Sequence, residues 1–271
     1  MASPAADTAR FAFGANWRRY VDGLDERAAL QAADSLRSLL GVNDLTDRSF
    51  LDVGCGSGLF SLAAFRLGAR VHSFDYDPDA VQVTESLRTR YCDDAGEWRI
   101  DHGSVLDTNY LAALGRFDVV YAWGVLHHTG DMWTALANVA ETVAVDGALV
   151  IAIYNDQGAT SRRWAWIKRL YNHLPSGLRF TVLWPALLRL WGPRIVRDVL
   201  AGRGLSAWRD YHNERGMSPW HDVVDWVGGW PFEVATHDAI TAFFTQRRFR
   251  LIRSKSVGRG HGCNEFVFRR D

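Results

Sequence analysis

The sequence predicts an α/β fold: a mostly parallel sheet of seven strands, the last one antiparallel, with a helical insertion after the fifth. Three observations carry this. The apolar run Phe50-Leu-Asp-Val closes on an acid and three glycines at alternate positions, Gly54, Gly56 and Gly58, and then passes into a helical pattern. Strand-like apolar runs alternate with amphipathic helical stripes through residue 155 and again from 234, the pattern of a parallel sheet covered on both faces. Between 156 and 233 that alternation lapses into a Trp- and Arg-rich stretch. A chain of 271 residues suits one α/β domain with an insertion and can bury a full core.

Composition narrows the function classes. The 31 basic and 31 acidic residues balance, so no global field draws the chain to nucleic acid or anionic membrane. Nucleic acid is therefore not the expected partner, although local patches stay open. No run of eighteen apolar residues occurs, so a spanning helix is not expected, while peripheral membrane contact stays open. Cys55, Cys92 and Cys263 are odd in number and widely spaced, which fits a reducing compartment better than a disulfide framework. With no apolar signal core at the N-terminus, a cytoplasmic protein is the expectation. Oligomeric state leaves no mark.

The glycine stretch reads as a buried strand, a tight turn and a helix start. Glycines without a Cβ let the turn bend through dihedrals closed to other residues and let a ligand lie on bare backbone. The helix beginning near Leu59 then aims its first amides at that ligand. A small anionic or carboxylate-bearing cofactor suits such a place. The spacing is Asp-x-Gly-x-Gly-x-Gly, whereas a nicotinamide or flavin fingerprint wants Gly-x-Gly-x-x-Gly, with its third glycine where Leu59 stands. No Gly-Lys-Ser/Thr follows, which excludes a P-loop.

Before the glycines, residues 11 to 40 carry two short helical patterns, with Leu30, Ala33, Leu36 and Leu40 at helical spacing. After them, Ala69-Arg-Val-His-Ser-Phe74 is the second strand and ends on Asp75. A carboxylate there, about 20 residues past the glycines, is where a ribose hydroxyl pair is held, so Asp75, with Tyr76 beside it, is the ribose candidate. Asp77 is read as a helix cap and Pro78 as the first helical residue, ahead of a stripe of Ala80, Val83, Leu87 and Tyr91. Trp98-Arg-Ile-Asp-His-Gly-Ser-Val-Leu106 forms the third strand and its exit.

Phe117-Asp-Val-Val-Tyr-Ala-Trp-Gly-Val-Leu-His-His-Thr-Gly-Asp131 begins as a buried strand, and Trp123 to Asp131 fall at its carboxyl end, where open α/β sheets place ligands. A helical stripe of Met132, Leu136, Val139, Ala140 and Val143 follows. Asp146-Gly147 turns into a fifth strand, Ala148 to Tyr154, which Asn155 ends.

The ordered set of the glycine stretch, Phe-Asp-Val-Val, Gly-Val-Leu-His-His and Asp-Gly-Ala-Leu-Val-Ile-Ala resembles the class I S-adenosylmethionine-dependent methyltransferases. Over roughly residues 48 to 155 it is similar to the ubiquinone/menaquinone-type small-molecule methylases. The resemblance implies a Rossmann-like sheet with its last strand between the fifth and sixth. It implies S-adenosyl-L-methionine as cofactor and S-adenosyl-L-homocysteine as product. Asp52, Gly54, Gly56 and Gly58 would hold the methionine end, with backbone around Ala122 and Trp123 meeting its amine. Ser104 takes the place of the acid that meets the adenine amino group, and Val105 would pack on the ring. An N-terminal helical arm, residues 1–46, would close over the cofactor and bring Trp17 and Tyr20 to the sulfonium.

The core is then expected over 47–155 and 234–271. The insertion, 156–233, carries Trp164, Ile167, Tyr171 and Leu174 at helical spacing up to Pro175. A second helix with Leu183, Leu187 and Trp191 stops at Gly192-Pro193, and an aromatic, loop-like stretch runs from Met217 to Trp230. The insertion is read as a substrate lid, ahead of a merely docked helix pair or a surface touching membrane or RNA phosphates. Thr236 caps a helix, Arg250 to Val257 is the sixth strand and Asn264 to Arg269 the seventh. His261 and Asn264, like Tyr154 and Asn155, are candidate substrate contacts.

Methyl transfer from a sulfonium needs alignment in a dry site, and a base only where the acceptor starts protonated. His127 and His128 sit where the reaction would occur, and histidine suits deprotonation of a hydroxyl near neutrality. Consecutive residues do not easily face one pocket, so at least one should be structural. His128 is favoured as base because it aligns with the histidine of a Glu-His pair in quinone O-methylases. Gly124 and His127 stand where the acids of that family's carboxylate cluster would be, so no metal is expected. The expected activity is methyl transfer to a hydroxyl of a small hydrophobic or aromatic metabolite. The alternatives are N- or C-methylation of a small molecule or RNA base, and a non-catalytic cofactor-binding module.

Overall fold

A computed structural model describes residues 17, 21, 24, 26–92, 97–204, 208, 219–258, 260 and 262–271. The described residues fall into two compact units, one within 14–157 and 233–271, the other within 158–232. The larger is built on one sheet. Its strands are β1 Ser49–Val53, β2 Arg70–Asp75, β3 Trp98–His102, β4 Phe117–Trp123, β5 Val143–Tyr154, β6 Phe249–Lys255 and β7 Cys263–Arg270. Their order is β3-β2-β1-β4-β5-β7-β6. β1 to β5 pair in parallel, and β7 runs antiparallel to both β5 and β6. The fold is the Rossmann-like α/β sheet expected.

The described helices are α1 Glu26–Leu40, α2 Leu59–Arg66, α3 Pro78–Tyr91, α4 Thr108–Leu114, α5 Met132–Glu141, α6 Ala159–His173, α7 Phe180–Leu200, α8 Pro219–Gly228 and α9 His237–Thr245. Period-two alternation sorts them onto the two faces of the sheet. Val119 and Tyr121 of β4 point to the face where Ala29, Leu62 and Leu87 bring α1, α2 and α3. Val120 and Ala122 point to the other, where Leu111, Leu136 and Phe244 bring α4, α5 and α9. The chain leaves β1 for β2 on one side and later returns to β4 on the other, so the carboxyl ends of β1 and β4 flank the point where strand order reverses. Ligands bind at that point in open α/β sheets.

Local chemistry sets the boundaries. Asp77 is the N-cap of α3, its carboxylate accepting the Asp79 amide at 2.9 Å ahead of Pro78. Thr236 caps α9 in the same way, accepting from the Ala239 amide at 3.2 Å. Four expectations need correction. Leu30 is exposed, and α1 buries Ala29, Ala32, Ala33 and Leu36 instead, a narrow small-residue stripe that allows close approach to α2. β5 begins at Val143 and not after Gly147, because Val143 pairs with Phe117 across a register shift before the main ladder starts at Val119. In the smaller unit α7 runs on through Gly192-Pro193 to Leu200. A proline costs one helical hydrogen bond, and burial of the large Trp191 side chain in the unit's core offsets it. The stretch read as loop-like forms α8, opened by Pro219 and burying Val223 and Val227 one turn apart.

The smaller unit has its own core, formed by Trp164, Tyr171, Leu183, Leu187, Trp191, Val223 and Val227. Lys168 is fully buried within it. Its ammonium donates to the Trp226 carbonyl and lies 4.5 Å from the Trp226 ring centroid and 4.7 Å from that of Phe232. Carbonyl and ring faces replace the water such a cation would otherwise need.

Candidate active site

The site is organised at the carboxyl end of β1. Gly54, Gly56 and Gly58 all have positive φ, 72°, 55° and 75°. Each also faces a close neighbour. A Cβ on Gly54 would lie 2.5 Å from Val125 Cγ1, one on Gly58 2.8 Å from Thr84 Cγ2, and one on Gly56 3.2 Å from the Trp17 indole. The turn is therefore glycine both for its dihedrals and for the side chains pressed against it. Gly58 is the N-cap of α2 and offers no side chain to the helix amides.

Two acids lie under the turn. Asp75 accepts the Gly56 amide at 2.9 Å on one oxygen and the Asp77 amide at 2.9 Å on the other. Asp52 is buried and accepts the Ser61 hydroxyl at 2.5 Å. Ser61 lies 2.8 Å from the Ser73 hydroxyl, which accepts the Trp98 indole N–H at 2.9 Å. An indole only donates, and Ser61 spends its proton on Asp52, so Ser73 donates to Ser61 and the relay ends on the carboxylate. Burial lifts Asp52 to about 7, against the Ser61 bond that favours the anion and with the charge of Asp75 adding to the rise. Burial also raises Asp75, against the two amides that favour its ionised form.

At the end of β4, Ala122 is buried and Trp123 is half-buried, stacked on Tyr121 at 5.7 Å and 5° between planes. A single 3-10 turn over Leu126–His128 follows. His127 is fully buried, with its ring centroid 4.0 Å from that of Tyr154 at the end of β5. His128 is partly exposed and meets the same Tyr154 ring edge-on at 5.4 Å. The two imidazoles are 4.5 Å apart, so the tight turn brings both to one tyrosine, one of them buried and the other partly exposed.

Other candidate residues sit as follows. Ser104 accepts the Leu106 amide at 3.2 Å, and Val105 is buried in the core with its carbonyl accepting from Asn138. Tyr76 is exposed, and its carbonyl lies 2.9 Å from His102 Nε2. Asn264 is fully buried; its amide nitrogen donates to Asn155 Oδ1 at 3.0 Å and its oxygen accepts the Val257 amide at 3.1 Å. Asn155 donates on to the Gly258 carbonyl at 2.7 Å. The two asparagines thus tie β5 to the loop before β7, and Asn264 has no exposed face for a ligand. His261 and Tyr20 lie outside the described residues. No group of three or more metal-ligating side chains is placed to hold a metal among the described residues.

Two partners went unrecognised in the sequence. Ser61 carried a faint signal, a hydroxyl on the buried first turn of α2. Glu233 carried none: its amide donates to the His127 carbonyl at 3.0 Å and its carboxylate accepts the Met132 amide at 3.0 Å, at the start of α5.

The residues fit S-adenosylmethionine. A glycine turn with left-handed backbone, an uncapped helix N-terminus and a carboxylate oriented by two loop amides match a ligand with an amino acid end and a ribose. Sheet order, the antiparallel seventh strand and the glycine turn are those of the class I S-adenosylmethionine-dependent methyltransferase fold. Residues 51–149 match the family model described as a methyltransferase domain.

Relatives agree. The chain is 33% identical over 123 residues to the ubiquinone biosynthesis O-methyltransferase of Azorhizobium caulinodans, across 45% of this chain and 44% of the relative. It is 28% identical over 206 residues to the tRNA U34 carboxymethyltransferase of Vibrio campbellii, across 72% of this chain and 62% of the relative. The chain therefore spans less than two thirds of the length of either. In fold it is similar to the magnesium protoporphyrin IX methyltransferase of Synechocystis PCC 6803 with bound SAH, with a TM-score of 0.56 and 13% identity over 95% of this chain and 94% of that one.

Proposed function

We propose that the protein transfers a methyl group from S-adenosylmethionine to a hydroxyl of a small hydrophobic or aromatic acceptor, with His128 as the base. The observation that carries this is the pairing of one buried and one partly exposed imidazole on Tyr154, at the carboxyl ends of β4 and β5. The exposed imidazole can meet a hydroxyl; the buried one can only support it.

The cofactor supplies an electrophilic methyl on a sulfonium that leaves as a neutral thioether. Asp75 would accept the ribose hydroxyls on lone pairs left beside its loop amides, and the glycine turn with Asp52 would hold the methionine end. His128 takes the acceptor's proton as the oxygen–methyl bond forms, so the nucleophile reacts with its negative charge developed and never free in solution. Tyr154 stacks with the ring pair and offers an apolar wall to an aromatic acceptor. The Azorhizobium O-methyltransferase supports the hydroxyl reading. The Vibrio tRNA enzyme favours a second one, with an RNA base as acceptor, because its match is longer than the methyltransferase core. The insertion's role as a lid belongs to the same proposal.

The test is methyl transfer from labelled S-adenosylmethionine to a panel of hydroxylated aromatics and to bulk tRNA, by the intact chain and by His128→Gln. Label in the aromatics that falls at least ~100-fold in His128→Gln supports the proposal. Label confined to tRNA, or transfer to the aromatics that is indifferent to His128, overturns it.

A further inference from the structure

The charge balance of the chain hides a strong local asymmetry. Residues 158–204 carry nine basic side chains and one acid, Asp198. That acid is buried against Arg203, and Lys168 is buried as well. Arg162, Arg163 and Arg169 on α6 and Arg189 and Arg197 on α7 are exposed and make no ion pair with a described residue, while Arg194, also exposed, lies over the Trp191 ring, 5.5 Å from its centroid. Among them stand large apolar side chains that also face out. On α7, Leu183, Leu187 and Trp191 face the unit's core, while Trp184 is 55% exposed, Leu188 66%, and Phe180, Val196, Val199 and Leu200 more than half. Trp166 on α6 is 64% exposed.

A helix apolar on both faces is expected to be covered on both. α7 is not long and apolar enough, with its arginines, to cross a membrane. A second copy of this face would set the same arginines against one another. RNA would use the arginines and stack on the tryptophans, but would gain nothing from Leu188, Val196, Val199 and Leu200. A bilayer surface uses all of them: aliphatic groups and indoles enter the headgroup boundary, and guanidinium groups meet lipid phosphates.

We infer that the outward face of α7, with the exposed arginines of that helix, docks the protein on an anionic lipid bilayer. The site is independent of which acceptor is methylated.

Full-length protein is sedimented with vesicles of phosphatidylcholine alone and with roughly one quarter phosphatidylglycerol. The intact chain is expected to pellet with the anionic vesicles only. Binding should fall ~5-fold for each arginine in Arg189→Gln and Arg197→Gln, and at least ~10-fold in the double variant Trp184→Ser, Leu188→Ser. Both positions are exposed, so melting temperature and S-adenosylmethionine affinity should hold; if the apolar variant does not keep them, the arginine variants decide. No pelleting, or pelleting indifferent to these substitutions, overturns the inference. So does gel retardation of tRNA without vesicle binding, which points to RNA, or a dimer in solution that the serine variant dissociates.

Discussion

The Ser61 hydroxyl reaches Asp52 Oδ2 at 2.5 Å, as the last link of a relay that begins at the Trp98 indole. That bond favours the carboxylate, yet burial prevails and lifts Asp52 to about 7 from 3.8. The folded state therefore holds this proton more tightly than the unfolded chain does. Its stabilising contribution is complete below the unfolded value and is lost as pH rises through about 7, on the order of 4 kcal/mol over the window. Melting temperature of the ligand-free protein should fall between pH ~4 and ~7 and level off above, and Asp52→Asn should flatten that slope. Equal slopes would place the titration elsewhere.

The same acid makes cofactor binding pH-dependent. An amino group held at the methionine end stabilises ionised Asp52, so binding near neutrality should release a proton and tighten as pH rises through about 7. Calorimetry in two buffers of different ionisation enthalpy reads the proton directly. No buffer dependence in the intact protein would remove Asp52 from the methionine site.

Gly54 and Gly124 share a positive φ, 72° and 75°, but a Cβ on Gly54 meets Val125 at 2.5 Å while one on Gly124 meets nothing. Gly124→Ala should cost only the left-handed backbone, about 1–2 kcal/mol. Gly54→Ala should cost more, and should also weaken cofactor binding by displacing Val125 from the turn that carries the histidines. Adding Val125→Ala removes the methyls at 2.5 and 2.7 Å and should restore part of the loss. Denaturation midpoints of the three variants test this; equal costs for the two glycine changes would refute the steric account.

Asp75 accepts one amide on each oxygen. In Asp75→Asn one of those oxygens becomes a donor facing a donor, whichever way the amide turns. S-adenosylmethionine affinity should fall ~10–100-fold, with the loss shared by the product and by free adenosine, since all three carry the ribose. Loss confined to the methionine-bearing ligands would mean that Asp75 does not hold the ribose.

These elements show what the sequence made legible. The glycine turn, both acids and the cap at Asp77 are local: each is encoded by residue type within a few positions, and each stands where local chemistry puts it. The Ser61–Ser73–Trp98 relay joins α2, β2 and β3, so its spacing exists only once the sheet is formed. Leu30 misled because the larger side chain outweighs its alanine neighbours in any reading of hydrophobicity, although close helix packing selects the alanines. Gly192-Pro193 misled for the opposite reason: a strong local stop signal yielded to burial contributed by Trp191. At the end of β4 both histidines were visible as reactive types, but their convergence on Tyr154 depends on a turn whose geometry is held from residue 233.

That dependence gives the last prediction. The Glu233 amide holds the His127 carbonyl and its carboxylate holds the first turn of α5, so one residue fixes both ends of the segment carrying His128. Glu233→Ala leaves the amide in place and removes the carboxylate, freeing the α5 end alone. Glu233→Gln keeps an acceptor for the Met132 amide. If His128 is the base, the alanine variant should lower kcat ~10-fold or more with KM and cofactor affinity little changed, because alignment in the transition state suffers while ground-state contacts persist. The glutamine variant should recover most of it. A loss that appears equally in cofactor affinity and melting temperature, with no rescue by glutamine, would make Glu233 a general structural residue and leave the histidine turn positioned by its own packing on Tyr154.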